Sequence, residues 1–480
     1  MSQWRLLIII LLGTILFLLA ILKASTAAIT WDEAFTYLEF IKTGKLYPGA
    51  GGGMAANNHL LNTWISFAFT EIFGANEFTL RFGNILFYAV YLVASGWLAL
   101  RSSNLSVSLA VFFLFNLNPY LFDFFCLSRG YGMAHTCLLL SIVFIFSFFR
   151  TEKNKWLIWM IFSALAGMLA GTMLLPAFGM LYAIVFFVFP FLQSDRSQLR
   201  SWFDAIYSSL KRIPAVVHGI YVIALLTGAA YLILLQKFNA YLFGGTSGIA
   251  DDMFLSIIIN SKYHSAIPEI FYATASGVLI LVVAITVVIY KKRYGFIYSA
   301  EGKTAMVLIL TFAGIVFSSG IMHFVFSTPL PAERTALYLY VIFAATITFL
   351  LTFETRREFL FRIICLGVAI LLTTHFVFVF SLKTFYEWRT DADAPLMIHE
   401  LSFDYFSKKN EPVQAVASLE LELPLKFYLE KSTELNKKIN LQRISNRVGE
   451  PEIYFLDSND SGIADTLAKD KGWSKTCFPQ

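Results

Sequence analysis

Residues 6–37 read LLIIILLGTILFLLAIL, then KASTAAI, then TWDEAFTY. The first block, Leu6 to Leu22, is an apolar run long enough to cross a bilayer. The last block, Thr30-Trp31-Asp32-Glu33-Ala34-Phe35-Thr36-Tyr37, sets two adjacent carboxylates just beyond one membrane face. Two readings compete for that pair. Thr30 can cap a short surface helix, whose first turn favours acids because of the helix dipole. Alternatively, two carboxylates at a membrane surface suit general-base chemistry or cation binding. On either reading the stretch from Lys23 to about Asn58 is expected to be a loop, with Asp32 solvated.

The rest of the chain multiplies the first block. Of 480 residues, 57% are hydrophobic, 17% aromatic and only 14% charged, where a soluble domain carries roughly 25% charged residues. Helical spans are the home for so much apolar sequence. The net charge of +5 does not point to nucleic acid, because the basic residues fall in short clusters between apolar runs. Cys126, Cys137, Cys365 and Cys477 show neither a disulfide framework nor metal-ligand spacing. Arg5, the apolar core and the small residues Ala24 to Ala28 could open a signal peptide. The length of the core and the number of later spans favour an uncleaved first span.

Eleven spans are predicted: Leu6–Leu22, Phe82–Leu100, Leu105–Phe125, Gly132–Phe149, Trp156–Leu175, Phe178–Leu192, Ala215–Leu235, Phe271–Tyr290, Ala305–Phe324, Thr335–Phe353 and Ile363–Leu382. The fifth and sixth should form a tight hairpin turning at Pro176. His59–Phe73 is short and carries Asn62, Thr63 and Glu71, so it is expected to lie in the interface rather than cross. Arg5, Arg101, the basic residues of 150–155, 193–214 and 291–303, and Arg356, Arg357 and Arg362 all fall on one side. The positive-inside rule makes that side cytoplasmic. The N-terminus is then cytoplasmic, and everything after Leu382 lies outside. The fold class expected is an all-α polytopic membrane protein of about eleven transmembrane helices with a small C-terminal α/β domain outside the membrane. Residues 1–382 form the membrane domain, with a first outer loop at 23–81, and 383–480 the soluble one. In the tail, Val413–Ser418 and Glu452–Leu456 read as strands, and Pro424–Lys431 and Gly462–Lys471 as helices.

Four separated features reach the outer side. They are Asp32-Glu33; Asp123 with Ser128-Arg129-Gly130-Tyr131; Asn57-Asn58-His59; and Pro329 to Arg334 with Glu333, followed by Tyr338 and Tyr340. One arginine at an interface can simply snorkel. Two arginines on the side that carries two acidic sites suggest an anionic ligand, because a guanidinium presents a fork of donors to phosphate oxygens. His59 alone reads equally as a cap, and Asp251-Asp252 as the start of an interfacial helix, Met253–Ile259. His135, His218, His323 and His375 lie within spans and are expected to pack or bond between helices.

These features together resemble the GT-C membrane glycosyltransferases, in the branch of protein O-mannosyltransferases and lipid A aminoarabinose transferases. The resemblance rests on the Asp32-Glu33 loop, the His59 segment running into Phe73-Gly74-Ala75-Asn76-Glu77-Phe78-Thr79-Leu80-Arg81, the Arg129-Gly130-Tyr131 turn and the Glu333-Arg334 turn. It implies a hexosyl- or pentosyltransferase of the cell envelope, in a bacterial inner or plasma membrane. The donor would be a polyprenyl-phosphate sugar, and the acceptor a glycan, lipid or protein. Transfer would invert the anomeric centre. Asp32 would be the base and Glu33 its partner. Arg129 and Arg334 would hold the lipid phosphate, Tyr131 would line the site, and His59, Asp123, Glu333 and Tyr338 would complete the substrate site. A divalent cation is left open, with Glu33 and Asp123 as its candidate ligands. Where relatives carry His-Pro-Pro, this chain has His59-Leu60-Leu61. Where relatives carry an acid just before the arginine, it has Leu127-Ser128. The alternative function is a transporter or flippase for lipid-linked glycans. Such a protein should show ionisable residues at mid-membrane and paired interrupted helices in repeated halves, whereas here the acidic residues lie at the outer ends and no repeat is evident.

Overall fold

The computed structural model describes residues 3–47, 58–102, 104–193, 199–237, 244–263, 298–352, 359–401, 412–446, 451 and 453–456. The eighth predicted span, Asn57, Arg196, Arg356, Arg357, the 462–471 helix and Cys477 lie outside them.

Among the described residues six helices are long and apolar enough to cross a membrane: Gln3–Thr26 (α1), Glu77–Ala99, Gly130–Thr151, Ala215–Lys237, Ala300–Phe326 and Arg362–Val379. The chain is an integral, multi-pass membrane protein. Three further apolar helices, Lys155–Ala170, Thr172–Val188 and Leu337–Thr352, are shorter. Between α1 and the second span lie two short helices, Trp31–Thr36 (α2) and Leu60–Phe73 (α3).

The third predicted span is not one straight helix. It breaks into Leu105–Asn116 and Pro119–Phe125, bent by 61°. Pro119 cannot continue a helix, and the Asn118 side chain restarts one by accepting the Leu121 N–H at 3.1 Å. The break frees backbone carbonyls inside an apolar region, where each needs a donor. Tyr340 supplies one, its hydroxyl donating to Leu114 O at 2.6 Å. The predicted hairpin turn also moves. The fifth helix ends at Gly171, and Pro176 sits in the first turn of the next helix, where its missing N–H costs nothing. Of the helical histidines, His375 bonds between helices as expected, its Nε2 2.9 Å from Ser261 O, whereas His135 turns back on its own helix, its Nδ1 2.6 Å from Tyr131 O.

By its contacts the chain forms two compact units. One comprises residues 1–20, 54–62 and 83–380, and the other 21–53, 63–82 and 381–480. The second holds a three-stranded parallel sheet in the order β2-β1-β3, with β1 Val413–Ala417, β2 Ile439–Arg443 and β3 Ile453–Phe455. Val413 faces Ile439, and Ala415 faces Ile453. The two predicted strands appear as β1 and β3, and β2 was not anticipated. The predicted 424–431 helix begins earlier, at Leu419. Its Leu421, Leu425 and Leu429 join Val413, Ala415 and Ala417 of β1 in one apolar core. Ile29, Ala34, Ile41 and Leu80 belong to the same core, so the segment after α1 folds with the tail.

Candidate functional site

Two clusters of buried polar residues hold the candidates. In the second unit, α2 begins with a complete capping box. Thr30 Oγ1 accepts the Glu33 N–H at 3.3 Å, and Glu33 Oε2 accepts the Thr30 N–H at 3.0 Å. The helix-start reading is therefore right about local geometry. The expectation of a solvated Asp32 is not: Asp32 is 3% exposed, and Glu33 beside it 1%. The cause is Arg81, itself fully buried. Its Nε donates to Glu33 Oε1 at 2.8 Å and its Nη2 to Oε2 at 2.7 Å. The same guanidinium donates to Ala24 O, Ala27 O and Ala28 O at 2.7–3.0 Å. Those carbonyls lie at and just past the C-terminal end of α1, where a cation is favoured. A carboxylate taken out of water needs such a bidentate partner.

The tail adds a third acid. Asp391 Oδ2 accepts the Trp31 N–H at 2.6 Å, and Trp31 Nε1 donates to Leu419 O at 2.9 Å. Burial holds the Asp391 carboxyl well above the usual carboxylate range. The Trp31 N–H opposes that, while Glu420, Asp32 and Glu33 reinforce it. The Tyr428 hydroxyl accepts the Ile29 N–H at 2.9 Å. As a metal ligand Glu33 fits poorly, since both oxygens are committed to Arg81. Among the described residues no group of three or more His, Cys, Asp or Glu is arranged to hold a metal ion.

In the first unit the candidates gather where Gly130–Thr151 begins. Arg129 occupies the N-cap position and is buried, as is Tyr131. The turn before it is tied down by Asn62, whose Nδ2 donates to Ser128 O at 3.1 Å and whose Oδ1 accepts from Asn84 Nδ2 at 2.8 Å. Only glycine fits at 130: a Cβ there would sit 1.7 Å from Ala170 O and 2.7 Å from His59 Cβ. That close approach seats His59 beside the turn, its ring edge-on to Tyr131 with centroids 5.0 Å apart. The Arg129 guanidinium lies 5.9 Å from the same tyrosine ring. Arg334 and Tyr338 are buried, whereas Glu333 is exposed with a left-handed φ of 50°. The Glu333 N–H donates to Ser256 Oγ at 2.9 Å. Asp123 Oδ2 accepts from the Tyr263 hydroxyl at 2.6 Å.

His59 has a defined tautomer. Its Nδ1 lies 3.1 Å from Ala170 O, and a carbonyl only accepts, so the proton is on Nδ1. Burial, then Arg129 and Arg334, push its pKa well below the ordinary histidine value. The ring is neutral, and Nε2 is a bare acceptor. That atom is buried and has no hydrogen-bond partner among the described residues.

Comparison with solved structures identifies the architecture. ArnT from Cupriavidus metallidurans in its apo state, a lipid A aminoarabinose transferase, aligns over 96% of this chain and 94% of its own, at a TM-score of 0.53 and 10% identity. This chain shares the ArnT fold. A structure of ArnT bound to undecaprenyl phosphate aligns over 97% of this chain and 95% of its own, at a TM-score of 0.43 and 11% identity. No protein-family model matches the sequence, and no curated protein does.

Within this ArnT-like frame, four buried polar residues join the candidates that sequence reasoning named: Arg81, Asn62, Tyr263 and Asp391. Arg81 closed the quoted stretch 73–81, and a lone arginine early in an apolar helix is a signal for a buried partner. In sequence Asn62 is a mark of an interfacial helix. Nothing local distinguishes Tyr263 or Asp391, which lie 140 and 360 residues from their partners.

Proposed function

We propose that this protein is a GT-C-type membrane glycosyltransferase that moves a sugar from a polyprenyl-phosphate donor to a glycan, lipid or protein acceptor, with inversion. On this reading the N-terminus is cytoplasmic, eleven spans cross the membrane, and transfer takes place on the outer face. The ArnT fold supports the class. The single observation that carries the division of labour is the Glu33–Arg81 pair. Glu33 spends both oxygens on Arg81 and Thr30, so the base role falls to Asp32, one residue away on the same rigid turn. A carboxylate can take the acceptor hydroxyl's proton as the sugar is attacked. Arg129 and Arg334 would stabilise the charge that grows on the departing lipid phosphate. No nucleotide site is required, consistent with the lack of a P-loop or dinucleotide fingerprint in the sequence.

The test is transfer of labelled sugar by the purified protein from undecaprenyl-phosphate conjugates. Asp32→Asn should abolish most turnover without changing donor affinity. Loss of donor affinity with turnover unchanged would reject the assignment.

A further inference from the structure

We infer that His59 reads the donor sugar: its Nε2 accepts a hydrogen bond from the hydroxyl on the carbon next to the phosphate-bearing one. This rests on the reading that Arg129 and Arg334 hold the donor phosphate.

The argument starts from an unmet need. A buried acceptor without a donor costs more than a bond is worth, and native proteins rarely leave one. Nε2 of His59 is such an atom, on a residue 6% exposed. Its chemistry is fixed from the other side of the ring, where Nδ1–H is spent on Ala170 O. Its position is fixed too. Gly130 leaves no room for a Cβ beside His59 Cβ, and the Tyr131 ring packs against the imidazole. The arginines that act on the ring electrostatically are Arg129 and Arg334. They oppose protonation, so the ring is no third cation for a phosphate. A bare nitrogen lone pair facing an anion is repelled by it.

A ligand that suits all three side chains must be anionic toward the guanidiniums and offer an O–H toward Nε2. Polyprenyl phosphate meets the first requirement and lacks the second once ionised. A glycosyl phosphate meets both, because the hydroxyl nearest the anion is the one on the adjacent ring carbon. His59 would thus separate a loaded donor from the spent carrier lipid, and a 2-hydroxy sugar from its 2-deoxy counterpart.

The experiment uses the full chain in detergent micelles. Binding of three undecaprenyl-phosphate conjugates is measured, carrying glucose, mannose and 2-deoxyglucose, with undecaprenyl phosphate as reference. Glucose and mannose differ only in the direction of the hydroxyl at issue, and 2-deoxyglucose lacks it. In the native protein, one of the two hydroxylated conjugates should bind on the order of tenfold to a hundredfold tighter than the deoxy conjugate. In His59→Phe, which keeps a ring against Tyr131, that ratio should fall to near one. In His59→Gln, whose amide oxygen can accept, part of the ratio should return. The ratio is internal to each variant, so a general loss of binding does not imitate the effect. Equal binding of all three conjugates by the native protein, as expected if water alone occupies the acceptor, would overturn the inference. So would a ratio that survives in His59→Phe. Failure of undecaprenyl phosphate and every conjugate to bind the native protein would overturn the phosphate reading as well, which separates the two failures.

Discussion

The acidic turn and the histidine turn treat buried charge in opposite ways. At Glu33 the account is closed within the protein: Arg81 uses its Nε, Nη1 and Nη2, and Glu33 uses both oxygens. At His59 it is open, with one nitrogen bonded and the other without a partner among the described residues. A closed cluster is a scaffold, because nothing in it waits for a ligand. An open cluster, held rigid by Gly130 and Asn62, is what a preorganised binding group looks like before its ligand arrives. Asp32 stands beside the closed cluster and borrows its rigidity.

The comparison breaks most directly at the ion pair. Glu33→Gln or Arg81→Gln leaves one buried charge without its partner, and each should cost about 3–5 kcal/mol of stability. Replacing both by leucine should recover much of that loss. Thermal or denaturant unfolding in detergent reads it, and single variants within about 0.5 kcal/mol of the native protein would show that the pair is no scaffold.

The open cluster should respond in binding instead. Arg129→Lys and Arg334→Lys keep the charge and lose the fork. Affinity for undecaprenyl phosphate should drop about tenfold to a hundredfold, with unfolding little altered. Unchanged affinity in both variants would remove the phosphate role. Gly130→Ala tests the seat of His59. Its new methyl would meet Ala170 O, a backbone atom that cannot swing aside, and the cost should be about 1–3 kcal/mol.

The smallest effect concerns Asp391. Its folded pKa lies above its unfolded one, so its protonated form is the one that folding favours. It therefore costs stability as pH rises from the ordinary carboxylate range toward its folded pKa. Asp391→Asn keeps an acceptor for the Trp31 N–H and removes the ionisation. The variant should gain melting temperature over the native protein as pH rises, with the gain vanishing at low pH. A gain independent of pH would contradict the sign.

What the sequence disclosed was local. The Thr30 capping box, the apolar runs, and β1 and β3 are each decided by residues within a few positions of one another. The bend near Asn118-Pro119 is also written locally, as a breaker dipeptide inside an apolar run, but the run's hydropathy continues through it and masks the break. β2, Ile-Asn-Leu-Gln-Arg, is an edge strand whose alternation is carried by two apolar residues alone, Ile439 and Leu441. The burial of Asp32 and Glu33 was hidden because it depends on Arg81, 48 residues from Glu33, and on a tail segment more than 350 residues away. Composition marks the tail as soluble but does not reveal that its core includes Ile29 and Ala34.

The central claim is that Asp32 accepts the acceptor's proton during sugar transfer. Asp32→Asn keeps the shape of the side chain within an already rigid turn and removes the basic oxygen. Its single-turnover rate, measured with a saturating undecaprenyl-phosphate sugar donor and normalised to folded protein, should fall by roughly a hundredfold to ten-thousandfold. A rate within a factor of two of the native protein would contradict the account and leave Asp32 a helix-start residue and nothing more.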